Sequence, residues 1–301
     1  MISGLISIGT NSTRALVART GDGRVETLLH RSIGTRIGEG LRERGHLDEA
    51  AMQRTLSAIG EHAAAIREHA AALRIIATSA LRRADNEREF DGRVRALTGT
   101  GIDIISGEEE AACSYAGALS GISAGASERF GVLDVGGGSS EYAVGTKARC
   151  ERMISCEIGA VRLTERFPQL AGGPVPPQVL EDAAAYARAE LEPARSLPAV
   201  DRLVLVGGSA TTTVSLVRGK RDPFEYFALE LRDVREWIQR LAGMALEKRK
   251  ALPGMNPQRA DILPAGLLVI TEMASCNAIA GRTPIVSTND VLLGYLLRHP
   301  A

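Results

Sequence analysis

Three short turns, rich in glycine and small hydroxyl residues, could each hold a phosphate group. Each follows an apolar run, and they are Gly9-Thr10-Asn11-Ser12, Gly136-Gly137-Gly138-Ser139-Ser140 and Gly207-Gly208-Ser209. In such turns, successive backbone N–H groups and hydroxyls point into one concavity, which binds phosphate oxygens without a cation. The third turn also opens a predicted helix, whose N-terminus attracts anions. Any one of them could be an ordinary turn, but three in one chain indicate a phosphate ligand.

Two carboxylates flank the second turn. Asp134 precedes the triple glycine and Glu141 follows the serines, so a hairpin places both side chains at the rim of the turn. Carboxylate oxygens suit Mg²⁺ or Mn²⁺, and phosphoryl transfer uses such a cation to neutralise charge. Glu141 could instead accept hydrogen bonds from the N–H groups of the turn. The pattern favours a metal-assisted reaction at a phosphate.

A run of three glutamates lies at the start of a predicted helix. Ser106 and Glu109 match the S-x-x-E capping box, and the helix dipole accounts for Glu108. Glu110 lies outside the box. Since consecutive helical residues point about 100° apart, only one of the three glutamates can face a cleft. Glu110 is therefore either a base that deprotonates a water molecule or part of a solvated helix face.

Arginines and cysteines give weaker signals. Arginine forks bind phosphate oxygens bidentately, so a basic groove is plausible, although most such residues are surface charges. The arginine pairs are Arg31 and Arg36, Arg82 and Arg83, and Arg162 and Arg166. The four cysteines form no C-x-x-C pair and have no histidine at a metal-ligand spacing. We interpret them as small buried hydrophobes or idle thiols.

Composition excludes several classes of protein. Lys plus Arg and Asp plus Glu both number 36, so the net charge of zero lacks the basic excess of dedicated nucleic-acid binders. Aromatic residues make up only 4%, which disfavours stacking on single strands. No secretory leader and no apolar run of membrane-spanning length occurs. We expect a globular, cytoplasmic protein that binds neither a nucleic acid polymer nor a membrane.

The elements around these turns indicate a duplicated α/β architecture. The length of 301 residues suggests two domains. Two strand–turn–strand segments, built on the first two glycine turns, recur about 126 residues apart. Helices alternating with single short strands follow each hairpin, which is typical of mixed α/β layers. The Gly/Ser-rich segment 120–127 is the predicted hinge.

The predicted elements after the hairpins follow from periodicity and capping residues. In the first half they are a helix over 48–69, a strand over 73–77, a helix over 86–97, a strand over 102–105 and a helix over 107–119. In the second half they are a helix after Pro177, a strand over 203–206, helices after Ser209 and Leu231, a helix over 259–276 and a strand over 284–287.

Eight motifs, in order along nearly the whole chain, resemble those of the exopolyphosphatase and guanosine pentaphosphate phosphohydrolase family. That family is part of the actin, sugar kinase and heat-shock ATPase fold group. In one-letter code the motifs are IGTNS from Ile8, IGEGL from Ile37, ATSALR from Ala77, ISGEEEA from Ile105, DVGGGSSE from Asp134, GAVRLTERF from Gly159, GGSATT from Gly207 and RADILPAG from Arg259.

The resemblance implies an α/β fold of two RNase-H-like domains with a cleft between them. The domains would span residues 1–122 and 123–287, with the last helix, about 288–301, packing back on the first domain. The implied activity is Mg²⁺-dependent hydrolysis, with Mn²⁺ as an alternative, of the terminal phosphate of inorganic polyphosphate or the 5′ phosphate of guanosine pentaphosphate. The resemblance also implies a homodimer.

The resemblance also assigns roles to particular residues. Glu110 would be the base, and Asp134 and Glu141 would serve the metal and the water, with Glu110 as a third metal residue. The implied phosphate contacts are the three turns named above, with Asn11, Ser139 and Gly207-Gly208 matching family positions, and Arg82.

Two departures from the family pattern leave alternatives open. The family carries Asp before its first turn, where this chain has Ser7, and a neutral hydroxyl does not supply the charge of a carboxylate. The chain ends near residue 301, so we expect a preference for short chains or nucleotides. One alternative is a polyphosphate- or nucleotide-binding sensor with weakened catalysis. A less favoured alternative is a sugar-kinase-like phosphotransferase.

Overall fold

The computed structural model describes residues 2–21, 24–69, 72–276 and 283–300. The chain divides into two compact α/β units. The N-terminal unit comprises Met1–Gly117 and Val291–Ala301, and the C-terminal unit comprises Ala118–Asp290.

A five-stranded sheet forms the centre of the N-terminal unit. Its strands are β1 (Ile2–Ile8), β2 (Ser12–Gly21), β3 (Arg24–Gly34), β4 (Ala72–Ala77) and β5 (Ile102–Ile104). The order is β3-β2-β1-β4-β5, with β1, β4 and β5 parallel and β2 antiparallel to both of its neighbours. The helices are α1 (Leu41–Arg44), α2 (Glu49–Arg67), α3 (Ser79–Arg82), α4 (Glu87–Thr98) and α5 (Gly107–Leu119).

A six-stranded sheet forms the centre of the C-terminal unit. Its strands are β6 (Arg129–Val135), β7 (Ser140–Thr146), β8 (Arg149–Cys156), β9 (Arg202–Val206), β10 (Tyr226–Ala228) and β11 (Ile285–Ser287), in the order β10-β11-β9-β6-β7-β8. The helices are α6 (Ala160–Arg166), α7 (Gln169–Gly172), α8 (Pro177–Glu190), α9 (Gly208–Arg218), α10 (Leu231–Ala242), α11 (Leu246–Lys250) and α12 (Leu263–Cys276), and α13 (Val291–Arg298) belongs to the N-terminal unit.

Alternating side chains bury both faces of the N-terminal sheet. Ile6 and Ile8 lie in one apolar cluster with Ile59 of α2, whereas Leu5 lies in a second cluster with Leu292 of α13. This follows from the two-residue period of a strand, which sends successive side chains to opposite faces. In the C-terminal unit, α12 is apolar nearly all round and is correspondingly buried among α6, α8, α9 and α10.

The hairpins, the helices with clear periodicity and the short parallel strands are confirmed. Asp48 caps α2 by accepting hydrogen bonds from the N–H groups of Ala50 and Ala51. The predicted helix over 259–276 is wrong at its start, because a 3₁₀ turn at Pro257–Arg259 precedes α12. The strands β3, β8 and β10, all at sheet edges, were not expected. β3 and β8 carry many exposed polar residues, so they lack a simple alternation of buried side chains.

Within the part of the chain that the structure describes, every helix is too short or too polar to span a bilayer.

Candidate functional site

Three chain segments meet at one edge of the N-terminal sheet. Because β1, β4 and β5 are parallel, the residues that follow their carboxyl ends lie side by side. The Thr78 N–H donates to the carbonyl of Ile8 (3.2 Å), and the Ile105 N–H donates to the carbonyl of Ala77 (3.1 Å). These bonds hold the first glycine turn next to the starts of α3 and α5. Gly9 to Ser12, Arg82 and Glu110 therefore belong to the same edge.

The first glycine turn is a tight hairpin loop. The Gly9 N–H donates to the carbonyl of Ser12 (3.0 Å), and the carbonyl of Asn11 accepts from the N–H groups of Thr35 (3.2 Å) and Arg36 (3.0 Å). Arg36 adopts a left-handed backbone with a φ of 50°, which is strained for a residue with a side chain. The Asn11 side-chain oxygen is buried and has no hydrogen-bond partner among the described residues.

Arg82 and Glu110 form an ion pair at this edge. Arg82 Nη1 lies 2.8 Å from Glu110 Oε2 and 2.9 Å from the carbonyl oxygen of Ile105. The two side chains are only 18% and 11% exposed, so water screens their charges weakly. Arg82 Nη2 is buried and has no hydrogen-bond partner among the described residues. The guanidinium thus orients Glu110 and keeps donor capacity for an anion.

The second glycine turn carries the two carboxylates predicted for it. The Gly136 N–H donates to the carbonyl of Ser139 (3.0 Å), and the strand register places Asp134 directly opposite Glu141. Both residues are buried. The hydroxyl of Ser155 on β8 donates to Glu141 Oε1 (2.8 Å) and orients this carboxylate.

Helix α6 fixes the peptide planes of the second turn. The N–H groups of Ala160 and Val161 donate to the carbonyls of Gly136 and Gly137, both at 2.9 Å. A Cβ on Gly159 would lie 2.6 Å from the Gly137 carbonyl oxygen, so this approach requires glycine. In a trans peptide the C=O and the following N–H point in opposite directions. The N–H groups that follow these two carbonyls therefore point away from α6, as an anion site requires.

The third turn lies beside the second. Gly207 has a φ of 89°, and a Cβ there would lie 2.7 Å from Asp134 Oδ1, so only glycine leaves room for this carboxylate. Gly208 begins α9, and the guanidinium of Arg259 lies directly against it. Arg259 was not predicted as a site residue, although it begins one of the eight motifs. The contact itself could be recognised only from the fold.

Two predicted hydroxyl ligands face the protein interior. The Ser140 hydroxyl donates to the carbonyl of Ile158 (2.6 Å), and the Ser209 hydroxyl lies against Gly266 of α12. Both residues are buried. Both hydroxyls therefore contact the protein itself.

The glutamates at the start of α5 have different surroundings. The Ser106 hydroxyl accepts a hydrogen bond from the Glu109 N–H (3.1 Å), which confirms half of the predicted capping box. The expectation for the Glu109 side chain is wrong. Its carboxylate contacts Cys113, Arg298 and His299. Tertiary partners carrying positive charge and N–H donors outcompete the local cap.

Side chains beside the second turn of the C-terminal unit are suitable ligands for the divalent cation implied by the resemblance. Asp134 and Glu141 supply hard oxygen ligands from facing positions, and Ser155 holds one of them in place. The small volume of Gly207 leaves space around Asp134 Oδ1. These features suit Mg²⁺ or Mn²⁺ better than a soft metal, which prefers sulfur and nitrogen ligands.

Comparisons with known proteins identify a family model that matches most of the chain. The model of the Ppx/GppA phosphatase family matches residues 16–293. Exopolyphosphatase 2 of Mycobacterium tuberculosis is 36% identical over 312 aligned positions, covering 97% of this chain and 96% of that protein. The PPX-GPPA enzyme of Aquifex aeolicus is 27% identical and superposes with a TM-score of 0.82 over 99% of both chains.

The solved structures also confirm the predicted fold class, two RNase-H-like α/β domains. An exopolyphosphatase from Cytophaga hutchinsonii, 24% identical, has the same fold, with a TM-score of 0.88 over 99% of this chain and 97% of that one.

Proposed function

The chain belongs to the Ppx/GppA phosphatase family, and from this premise we propose that it is a Mg²⁺-dependent phosphohydrolase. Its substrate is inorganic polyphosphate, from which it releases the terminal phosphate, or guanosine pentaphosphate, from which it releases the 5′ phosphate, or both. Water attacks the terminal phosphorus, and the bond from that phosphorus to the bridging oxygen breaks. The likeness to an exopolyphosphatase supports polyphosphate as a substrate.

The observation that carries this proposal is the pair of Arg82 and Glu110. A carboxylate held 2.8 Å from a guanidinium stays oriented, and Arg82 Nη2 has no hydrogen-bond partner among the described residues. One guanidinium can therefore hold a base and bind a phosphate oxygen together. The adjacent turn, Gly9 to Ser12, supplies further backbone donors at the same edge of the sheet.

Each residue has a distinct role in the proposed reaction. Glu110 accepts the proton of the attacking water, and Arg82 and the N–H groups of the glycine turns bind the phosphate oxygens. Asp134 and Glu141 would hold Mg²⁺, which neutralises charge that develops on the phosphate oxygens.

The direct test measures phosphate release with Mg²⁺ from short polyphosphate, long polyphosphate, guanosine pentaphosphate and ATP. Glu110→Gln keeps the size of the side chain and an oxygen that accepts from Arg82, but it removes the base. We expect the rate to fall by about 10²- to 10⁴-fold, the usual contribution of a general base. The best substrate of the unaltered protein identifies its branch of the family.

The matched control is Glu108→Gln, two residues earlier on the same helix and exposed to solvent. It should retain activity, and both variants should unfold at the temperature of the unaltered protein. Full activity of Glu110→Gln would show that another group is the base.

A second candidate function is a phosphate-binding sensor with weakened catalysis. One observation favours it. Ser7, fully buried, stands opposite Arg14 in the register of the first hairpin, so that hairpin lacks the paired carboxylates of the second. Tight binding of polyphosphate without turnover would support a sensor, and sustained multiple turnover would exclude it.

A further inference from the structure

A second group of metal-ligating side chains lies outside the glycine turns. Glu109 and Cys113 occupy one face of α5, since residues four apart are helical neighbours. His299 follows the end of α13. The ligand atoms of the three residues all lie within 4.8 Å of one another. The ligands on a tetrahedral zinc ion are about 3.3–3.8 Å apart, as follows from bonds of about 2.0–2.3 Å. Small side-chain adjustments would therefore complete a site.

One carboxylate oxygen is the focus of this group. Cys113 Sγ lies 3.3 Å from Glu109 Oε1, and His299 Nε2 lies 2.8 Å from the same atom. The thiol and the imidazole thus share this oxygen with Arg298 Nε, which lies 3.3 Å from it. A divalent cation with sulfur, nitrogen and oxygen ligands could occupy the space between Cys113, His299 and Glu109 and replace the thiol and imidazole hydrogens. Sequence spacing could not reveal this group, because Glu109 and His299 are 190 residues apart.

The backbone around Cys113 is held by a close helix crossing. A Cβ on Gly294 of α13 would collide with the carbonyl oxygen of Cys113, so the two helices approach as closely as glycine permits. Cys113 is fully buried. Its thiol therefore has a fixed position relative to α13.

Two contacts position His299, and a hydrogen bond fixes one of its partners. Its ring lies on the ring of Tyr295, with centroids 4.4 Å apart. The Tyr295 hydroxyl donates to Asp103 Oδ2 (2.9 Å), and the Arg74 guanidinium donates to the carbonyl oxygen of His299. An imidazole held from both its ring and its backbone needs little ordering to bind a metal.

Arg298 supplies the outer contact that a ligating carboxylate usually has. Its Nη2 lies 3.2 Å from Glu109 Oε2, the oxygen that does not contact Cys113 or His299. Outer-shell hydrogen bonds of this kind orient metal ligands. Arg298 Nε also lies 3.3 Å from Oε1, and this contact would have to lengthen when a cation enters.

We propose that Glu109, Cys113 and His299 bind a thiophilic divalent cation such as Zn²⁺. Three protein ligands leave a fourth tetrahedral position for water. The thiolate ligand distinguishes this site from the proposed Mg²⁺ site, whose ligands are all oxygens. On binding, the thiol proton passes to the buffer, and the imidazole proton of His299 moves from Nε2 to Nδ1 through the solvent, so that Nε2 is free to ligate. The cation then joins α13 to α5, the helix that carries Glu110.

The test uses the full chain, freed of metal with a chelator. Zn²⁺ is titrated in competition with a chromophoric chelator, and Co²⁺ serves as a spectroscopic substitute. We expect one Zn²⁺ per chain at this site and a thiolate-to-cobalt charge-transfer band. Cys113→Ser and His299→Gln should each weaken Zn²⁺ binding by about tenfold or more, a loss at least as large as that for outer-shell ligands.

The controls separate this site from other groups. Cys150→Ser and His46→Gln, which alter a thiol and an imidazole elsewhere, should keep full Zn²⁺ affinity, and Asp134→Asn should keep it too. If Cys113→Ser fails to fold, His299→Gln still tests the site, because residue 299 is exposed. Zn²⁺ should also raise the melting temperature of the unaltered protein more than that of His299→Gln.

Two results would overturn the proposal: no thiolate-to-cobalt band in the unaltered protein, or Zn²⁺ affinity unchanged in both ligand variants. Since the readout is metal binding and not phosphate release, neither result bears on the proposed hydrolase activity.

Discussion

The two hairpins that carry glycine turns have the same backbone. In the N-terminal unit the Gly9 N–H donates to the Ser12 carbonyl, and in the C-terminal unit the Gly136 N–H donates to the Ser139 carbonyl, both at 3.0 Å. In each unit the strand before the turn pairs in parallel with the next strand of its sheet, β4 or β9. The backbone of the turn that we propose to bind phosphate is thus present twice.

The charges beside the two turns are opposite. At the second residue pair from each turn, Ser7 faces Arg14 in the first hairpin, and Asp134 faces Glu141 in the second. The first pair suits an anion and the second suits a cation. The comparison teaches that turn geometry and the charge beside the turn are separable: both hairpins form the same glycine turn, whereas only the second pairs two carboxylates, the ligands of the proposed cation.

Exchanging the residues of the two pairs gives the largest expected effect. Asp134→Ser makes the second hairpin resemble the first, and we expect Mg²⁺-dependent phosphate release to fall by about 10²-fold or more, because a positioned charge at the metal is lost. Ser7→Asp makes the reverse change. It should alter the rate by less than about threefold, under 1 kcal/mol of barrier, because Asp134 and Glu141 already provide the carboxylates.

The exchange also decides between the two candidate functions. Asp134→Asn controls for side-chain volume and should lose as much activity as Asp134→Ser. A rise of about tenfold or more in Ser7→Asp, equivalent to about 1.4 kcal/mol, would show that the unaltered protein is the weakened sensor. The Ser7 hydroxyl has no hydrogen-bond partner among the described residues, so this substitution removes no existing bond.

Alanine substitutions at the two turn glycines should destabilise their hairpins to different extents. A Cβ on Gly136 would lie 2.9 Å from the Ser139 carbonyl oxygen, whereas one on Gly9 would lie 3.3 Å from that of Ser12. Gly136→Ala should therefore destabilise its hairpin by about 2 kcal/mol, within the range for overpacking. Gly9→Ala should destabilise the first hairpin by less than about 1 kcal/mol. Hydrogen exchange within β7 and β2 measures each hairpin separately. Equal losses would refute the difference in packing.

The sequence was informative wherever local patterns decide structure. Glycine turns between apolar runs predicted both hairpins, and Asp48 predicted the start of α2. Local patterns carry no information on which distant residues meet. The Ser155 contact with Glu141 depends on strand register, and the contact of Arg259 with Gly208 depends on how the C-terminal unit packs.

The smallest expected effect is a pH dependence confined to the N-terminal unit. His62 of α2 is fully buried, and its Nε2 lies 3.1 Å from the carbonyl oxygen of Thr13, just beyond the first turn. Burial lowers the pKa of His62 below its ordinary value. Glu61 and Arg31 modify this pKa in opposite directions. All five histidines of the chain belong to the N-terminal unit.

The direction of this pH dependence follows from proton linkage. The unfolded chain binds a proton to His62 more readily than the folded chain, so the contribution of His62 is complete above the unfolded pKa of about 6.5 and is lost as the pH falls. Between about pH 7.5 and 5.5 we expect the free energy of opening of β2 to decrease by at most about 1.4 kcal/mol. Hydrogen exchange, corrected for intrinsic rates, measures this decrease.

Substitution of His62 isolates its share of the effect. In His62→Gln the amide can still donate to the Thr13 carbonyl but does not titrate, so the pH dependence of β2 should become shallower by that amount. The opening of β7, in a unit with no histidine, should change little in either protein. An unchanged slope in His62→Gln would assign the effect to other titrating groups. A slope that disappears would show that one buried imidazole makes the first hairpin, and not the second, sensitive to acid.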